Sequence, residues 1–474
     1  MTPPEEPSPL PESLEDPKAP LEEKRDPFRH AGAALVLLAA MGAGIWVWKS
    51  PVDGRPSGGE ITPGAAPSSS LDVPPVAAPR CTRVGTQAYR IGQNALADEG
   101  SDDEDHDNDE RPGAFGAEIS RAVALPSGFA VGVRHDTGSG AHAAIATIVH
   151  DAATGTLIDL GRSRGDFDAP LVVPLGAGWL AGLLEPNASG STLRIGASRG
   201  SDEPKWVLEL EQGRDESLAF DLAPGPKAVI VAWDEVTRDG KLARVLWSAL
   251  SADGTTIVRR PSAASSDRVD AETPRLVAKT GGFWLAYIAR KVIETPKDDD
   301  DAALERNPKG DREAAEKIDP SWIELMPLSE TGEATGPARA VTPREGHALT
   351  FDLAATDDGA ALLVWRDDDT PLGSHGGRVS VLTVLPSGGT DAQLLAEKDV
   401  GSGSPTLLRG WVALANAAGR AMLAPIGPNG AITGELRIEP AIGVGEPLVA
   451  VGVHVLTATS VGTAIDLSVV ECKP

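Results

Sequence analysis

The residues best suited to chemistry are carboxylates that cluster where apolar runs end. Arg134-His135-Asp136, Glu185, Trp233-Asp234-Glu235 and Arg366-Asp367-Asp368-Asp369 each close such a run. Strand ends are solvated, which by itself accounts for charge there. Gathered on one surface, the same groups would bind cations or a basic partner. Paired at about 5–10 Å, with one carboxyl kept protonated, they would suit glycoside cleavage. A second acidic feature alternates Asp103, Asp105, Asp107 and Asp109. Calcium takes about six to eight oxygens. The tract has neither the turn glycine nor the distant glutamate of an EF-hand loop, so it reads first as a charged linker that extends by self-repulsion.

Other chemistries are poorly represented. Eight histidines include no His-x-x-x-His pair. No metal centre, cofactor or catalytic set is therefore expected. A formal charge of −26 argues against nucleic acid, which needs a basic face to displace counterions. Two cysteines are too few for a thiolate metal cluster or a disulfide-dense scaffold.

The elements that position these residues show themselves as a repeat. Short apolar runs begin at Gly128 (GFAVGV), Gly178 (GWLAGL), Lys227 (KAVIVAW), Gly282 (GFWLAY), Gly359 (GAALLVW), Gly410 (GWVALA) and Gly452 (GVHVLT). The successive spacings are 50, 49, 55, 77, 51 and 42. Each run has the length of a strand. Ahead of several lies a second strand opened by proline, as in Pro170-Leu171, Pro274-Arg275-Leu276, Pro405-Thr406-Leu407 and Pro447-Leu448. Proline is tolerated there because the first residue of a strand can lack a ladder donor. A third strand follows each run and turns at Asp-Gly, Thr-Gly or Asn-Gly into a fourth. Four short strands per unit, repeated seven times, predict an all-β chain folded as a seven-bladed β-propeller, with six or eight blades as the alternatives. The 77-residue interval is explained by a charged insertion at 291–320 within the fourth blade.

The last repeat has three strands, and the start of the body, CTRVGTQAYRIG, supplies a fourth. Such an exchange closes the ring and removes exposed sheet edges. Cys81 and Cys472 lie at these two ends. A disulfide between them would staple the closure and, in the chain-entropy account, contribute up to about 5 kcal/mol.

With its blade cores GFAVGV, GWLAGL, AVIVAW, GFWLAY, ALLVW and GWVALA and their proline-led preludes, the body resembles the β-propeller repeat superfamily. Within it, the chain is most similar to membrane- or surface-attached propellers of GC-rich bacteria. The resemblance spans the body from Cys81 onward and is architectural. There is no Trp-Asp repeat signature, and Ser251-Ala252-Asp253-Gly254-Thr255-Thr256 lacks the spacing of a sialidase-type aspartate box. The resemblance implies that loops following second strands emerge on one face. That face would gather Asp136, Asp234, Glu235, Asp367, Asp368 and Asp369 into an acidic binding rim. The tryptophans of the repeated strand (Trp179, Trp233, Trp284, Trp365, Trp411) are expected to pack between blades.

The N-terminal 80 residues follow a different logic. Residues 1–30 are acidic and proline-rich and are expected to stay disordered in the cytoplasm. An uncharged run opened by Ala31 and closed by Trp48 (residues 31–48) is just long enough, at about 1.5 Å per residue, to cross a bilayer as one helix. Trp46 and Trp48 suit the headgroup interface, and basic residues precede the run, so the body is expected outside the cytoplasm, periplasmic or extracellular. Residues 49–80 form a proline-, glycine- and serine-rich spacer, and 81–474 is the propeller. Residues 1–30, 98–110 and 294–319 together account for −18 of the −26 formal charge, so the acidity belongs to a tail and two loops rather than to the blades. The functional expectation is a membrane-tethered binding or scaffold propeller for a protein or envelope component. A propeller hydrolase or lyase acting on carbohydrate through paired carboxylates is the alternative.

Overall fold

A computed structural model describes residues 81–90 and 118–473, apart from interruptions of which the longest is 293–319. The tail, the apolar run, the spacer, the alternating aspartates at 103–109 and nearly all of the 291–320 insertion lie outside the described residues. Among the described residues the regular elements are strands, and no helix is long and apolar enough to cross a membrane.

Seven antiparallel sheets form seven blades. The runs read from sequence are the second strands. They are Gly128–Asp136, Gly178–Asn187, Ala228–Val236, Gly282–Lys291, Ala361–Asp367, Trp411–Ala415 and His454–Val461. The first strands touch one another in a closed circuit from blade 1 round to blade 7 and back, so they line the channel. In blade 1 this inner strand is split into Glu118–Ile119 and Val123–Leu125, both paired with the second strand.

The apolar runs are continuous because both faces of each blade are covered, the usual reason a strand lacks alternation. In blade 3, Val229, Val231 and Trp233 pack toward blade 2, while Ile230 and Ala232 pack toward blade 4. Among the described residues there are seven buried apolar clusters, one at each blade junction. The five tryptophans of the repeated strand are buried in these junctions. In the fourth blade, Arg290 and Ser321 pair directly across the ends of the insertion.

Blade 7 is built from both ends of the body. Glu446–Val451, His454–Val461 and Ala464–Cys472 are joined by Cys81–Arg90 as the outermost strand. Cys81 stands opposite Cys472 in register, and a disulfide joins them. The closing strand also reaches into blade 1. Tyr89 Oη donates to the carbonyl of Thr147 (2.5 Å), and Gln87 Nε2 donates to that of Ala152 (2.8 Å).

Candidate functional site

Asp234, Glu235, Asp367 and Asp368, at the ends of second strands, are bonded within the fold, to backbone N–H groups or to arginines. Asp234 accepts the N–H of Ala219 on one oxygen and that of Thr273, in blade 4, on the other (both 3.0 Å). Thr273 has φ 55°, uncommon for a β-branched residue, at a point where the pairing of blade 4 shifts register. Glu235 Oε1 accepts from Arg244 Nε (3.0 Å) and Nη2 (2.5 Å). Asp367 Oδ1 accepts the N–H of His347 (2.8 Å), and Asp368 is ion-paired with the buried Arg366. Asp234, Glu235 and Asp368 are buried. Asp136 ends the second strand of blade 1; Asp369 lies outside the described residues. Among the described residues no group of three or more His, Cys, Asp or Glu is arranged to hold a metal ion.

A different set converges on the channel. Arg121, at the break in the inner strand of blade 1, lies with Nη2 3.2 Å from Asp221 Oδ1 of blade 3. Its Nη1 is 4.0 Å from Asp352 Oδ1 of blade 5. Three non-adjacent inner strands therefore meet through one guanidinium, with one negative charge in excess. Burial works against the charge of Arg121, but Asp221 and then Asp352 outweigh it and hold the guanidinium above its ordinary range.

The two aspartates are sisters. Each is the centre of a Phe-Asp-Leu tripeptide, Phe220-Asp221-Leu222 and Phe351-Asp352-Leu353. Asp221 Oδ1 accepts the N–H of Leu222 (2.9 Å), and its Oδ2 accepts that of Leu276 in blade 4 (2.7 Å). Asp352 Oδ1 accepts the N–H of Leu353 (2.9 Å), and its Oδ2 accepts that of Leu407 in blade 6 (2.8 Å). Leu276 and Leu407 each close a Pro-x-Leu prelude. An inner strand has one unpaired edge facing the channel, so its N–H groups need partners from elsewhere. The aspartates supply two of them and fasten blade 3 to blade 4 and blade 5 to blade 6. The repeated Phe-Asp-Leu was a readable signal for this pair. Arg121 has no comparable signature.

No family model matches the chain, and neither does any curated protein. Solved structures that it resembles include the Penicillium chrysogenum alpha-L-arabinanase complexed with arabinobiose, at 10% identity and TM-score 0.43, covering 76% of this chain and 94% of that one. The polysaccharide lyase Uly1 aligns at 8% identity and TM-score 0.47, covering 77% and 91%. The β-propeller domain of the Trilobed protease from Pyrococcus furiosus aligns at 12% identity and TM-score 0.44, covering 75% and 94%. The likeness is one of fold.

Proposed function

We propose that this protein is a carbohydrate-directed propeller that works from its channel. The observation behind this reading is the pair Asp221 and Asp352, brought from different blades to a single guanidinium. Paired carboxylates are what glycoside cleavage requires, and together with a guanidinium they offer both acceptors and donors to sugar hydroxyls. Hydrolysis or lysis would take place at this cluster; binding without turnover is the simpler form of the same reading. A scaffold role on the loop face has less behind it, because Asp234, Glu235 and Asp368 are buried and bonded within the fold. Placement outside the cytoplasm, tethered through residues 31–48, is part of the proposal. The disulfide supports it, since such bonds persist in oxidising compartments.

The test is to incubate the full chain with neutral hexose, pentose and uronate oligosaccharides while following thermal stabilisation and release of new reducing ends. At least one class should bind or be cleaved, and the Asp221→Asn/Asp352→Asn double variant should lose that response. A null result across all three classes would remove the carbohydrate reading.

A further inference from the structure

The two sister aspartates share a backbone clasp but not an environment. Asp221 is hydrogen-bonded to Arg121, and its side chain is 2% exposed. Asp352 stands 4.0 Å from the same guanidinium, beyond hydrogen-bond distance, and its side chain is 12% exposed. Arg121, itself 30% exposed, is committed to blade 3 and only leans toward blade 5.

A second difference lies two residues upstream of each aspartate, a position that in blade 5 falls on the same face of the inner strand by strand alternation. Blade 5 carries Thr350 there, and blade 3 carries Ala219. Pairing is regular from Thr350 through Asp352, so no bulge separates them. The Thr350 hydroxyl oxygen is buried without a hydrogen-bond partner. Leaving such a group unpaired costs free energy, which a ligand or water would recover.

We propose that Asp352 and Thr350 of blade 5, with the Nη1 edge of Arg121 that leans toward Asp352, form the ligand subsite of the channel, and that Asp221 is a positioning residue that holds Arg121. The subsite offers a carboxylate acceptor and a hydroxyl along one strand and a guanidinium donor from across the channel, a set that matches adjacent hydroxyls of a sugar. The ligand class rests on the carbohydrate reading above; the asymmetry between the two aspartates does not.

The experiment therefore has two arms on the full chain. In the first, carboxylates are labelled with a carbodiimide and glycine ethyl ester and located by mass spectrometry. Asp352 should label severalfold faster than Asp221, and Arg121→Gln should narrow the gap by exposing Asp221. Equal labelling, or faster labelling of Asp221, overturns the assignment. In the second, the same hexose, pentose and uronate oligosaccharides are offered as protectants. Asp352 should be protected, and Asp352→Asn and Thr350→Val should each weaken binding about tenfold, the size of one lost hydrogen bond to a charged or buried group. Binding unchanged in both variants also overturns the assignment. If Asp352 labels selectively but nothing protects it, the assignment stands and the carbohydrate reading falls.

Discussion

Tyr89 and Tyr287, the chain's only tyrosines, show how burial changes a side chain's chemistry. Burial pushes Tyr89 up to about 12. Tyr287 is raised too, first by burial and then by Glu324, to which its hydroxyl donates at 2.8 Å. In the unfolded chain both phenols ionise near about pH 10. Only the unfolded state then releases these protons as pH passes that value, so the stability they support is complete below about 10 and is lost as pH rises toward about 12. Near-ultraviolet absorbance should show only a small fraction of tyrosinate in the folded protein at about pH 11. A two-tyrosine step near the ordinary value, with the circular dichroism unchanged, would contradict this. Neither tyrosine is thus suited to act as a nucleophile near neutrality.

The hairpins joining third to fourth strands act as joints between blades. Ser251-Ala252-Asp253-Gly254-Thr255-Thr256 lacks the spacing of an aspartate box, yet it folds around its aspartate. Asp253 Oδ1 accepts from the hydroxyls of Ser251 (2.5 Å) and Thr255 (2.8 Å) and from the N–H of Thr255 (3.2 Å). These bonds hold the Asp253 carboxyl below its ordinary range. Gly254 sits at φ 72°, and a Cβ there would lie 2.8 Å from Leu180 Cδ1 of blade 2. Gly161, at φ 93° in blade 1, would meet nothing within 4 Å. Gly161→Ala should cost about 1 kcal/mol of backbone strain, whereas Gly254→Ala adds a clash and should cost about 2–4 kcal/mol. Urea denaturation of the two variants separates the contributions. Equal losses would mean that the hairpin does not wedge against its neighbour.

For the whole molecule, the decisive feature is how the ring is shut. Seven junction clusters make each blade depend on two neighbours, so an opening anywhere exposes apolar surface on both sides. Blade 7 is the weak point, because one of its strands comes from the far end of the body. The disulfide spans 391 residues there, and Cys81 and Cys472 are themselves part of the cluster between blades 6 and 7. Replacing both with serine should cost roughly 2–5 kcal/mol. Hydrogen exchange should then quicken first along Cys81–Arg90 and Ala464–Cys472. Uniform acceleration around the ring would show that closure is no weaker than any other junction.

Local pattern carried most of the architecture. The seven runs and the proline-led preludes follow from strand length and turn chemistry, which leave marks within about 50 residues; the closing strand and the cysteine pair, 391 residues apart, follow from the need to hide sheet edges at the two ends of the body. The channel cluster left almost none. Arg121 is 100 residues from Asp221, and Asp352 is farther still, so their meeting depends on ring geometry rather than on spacing along the chain. The same geometry turned Asp234 and Asp368, which as sequence look like surface acids, into buried partners of backbone and arginine. Period and composition determine that blades form and close; only the closed ring determines which charges face one another across it.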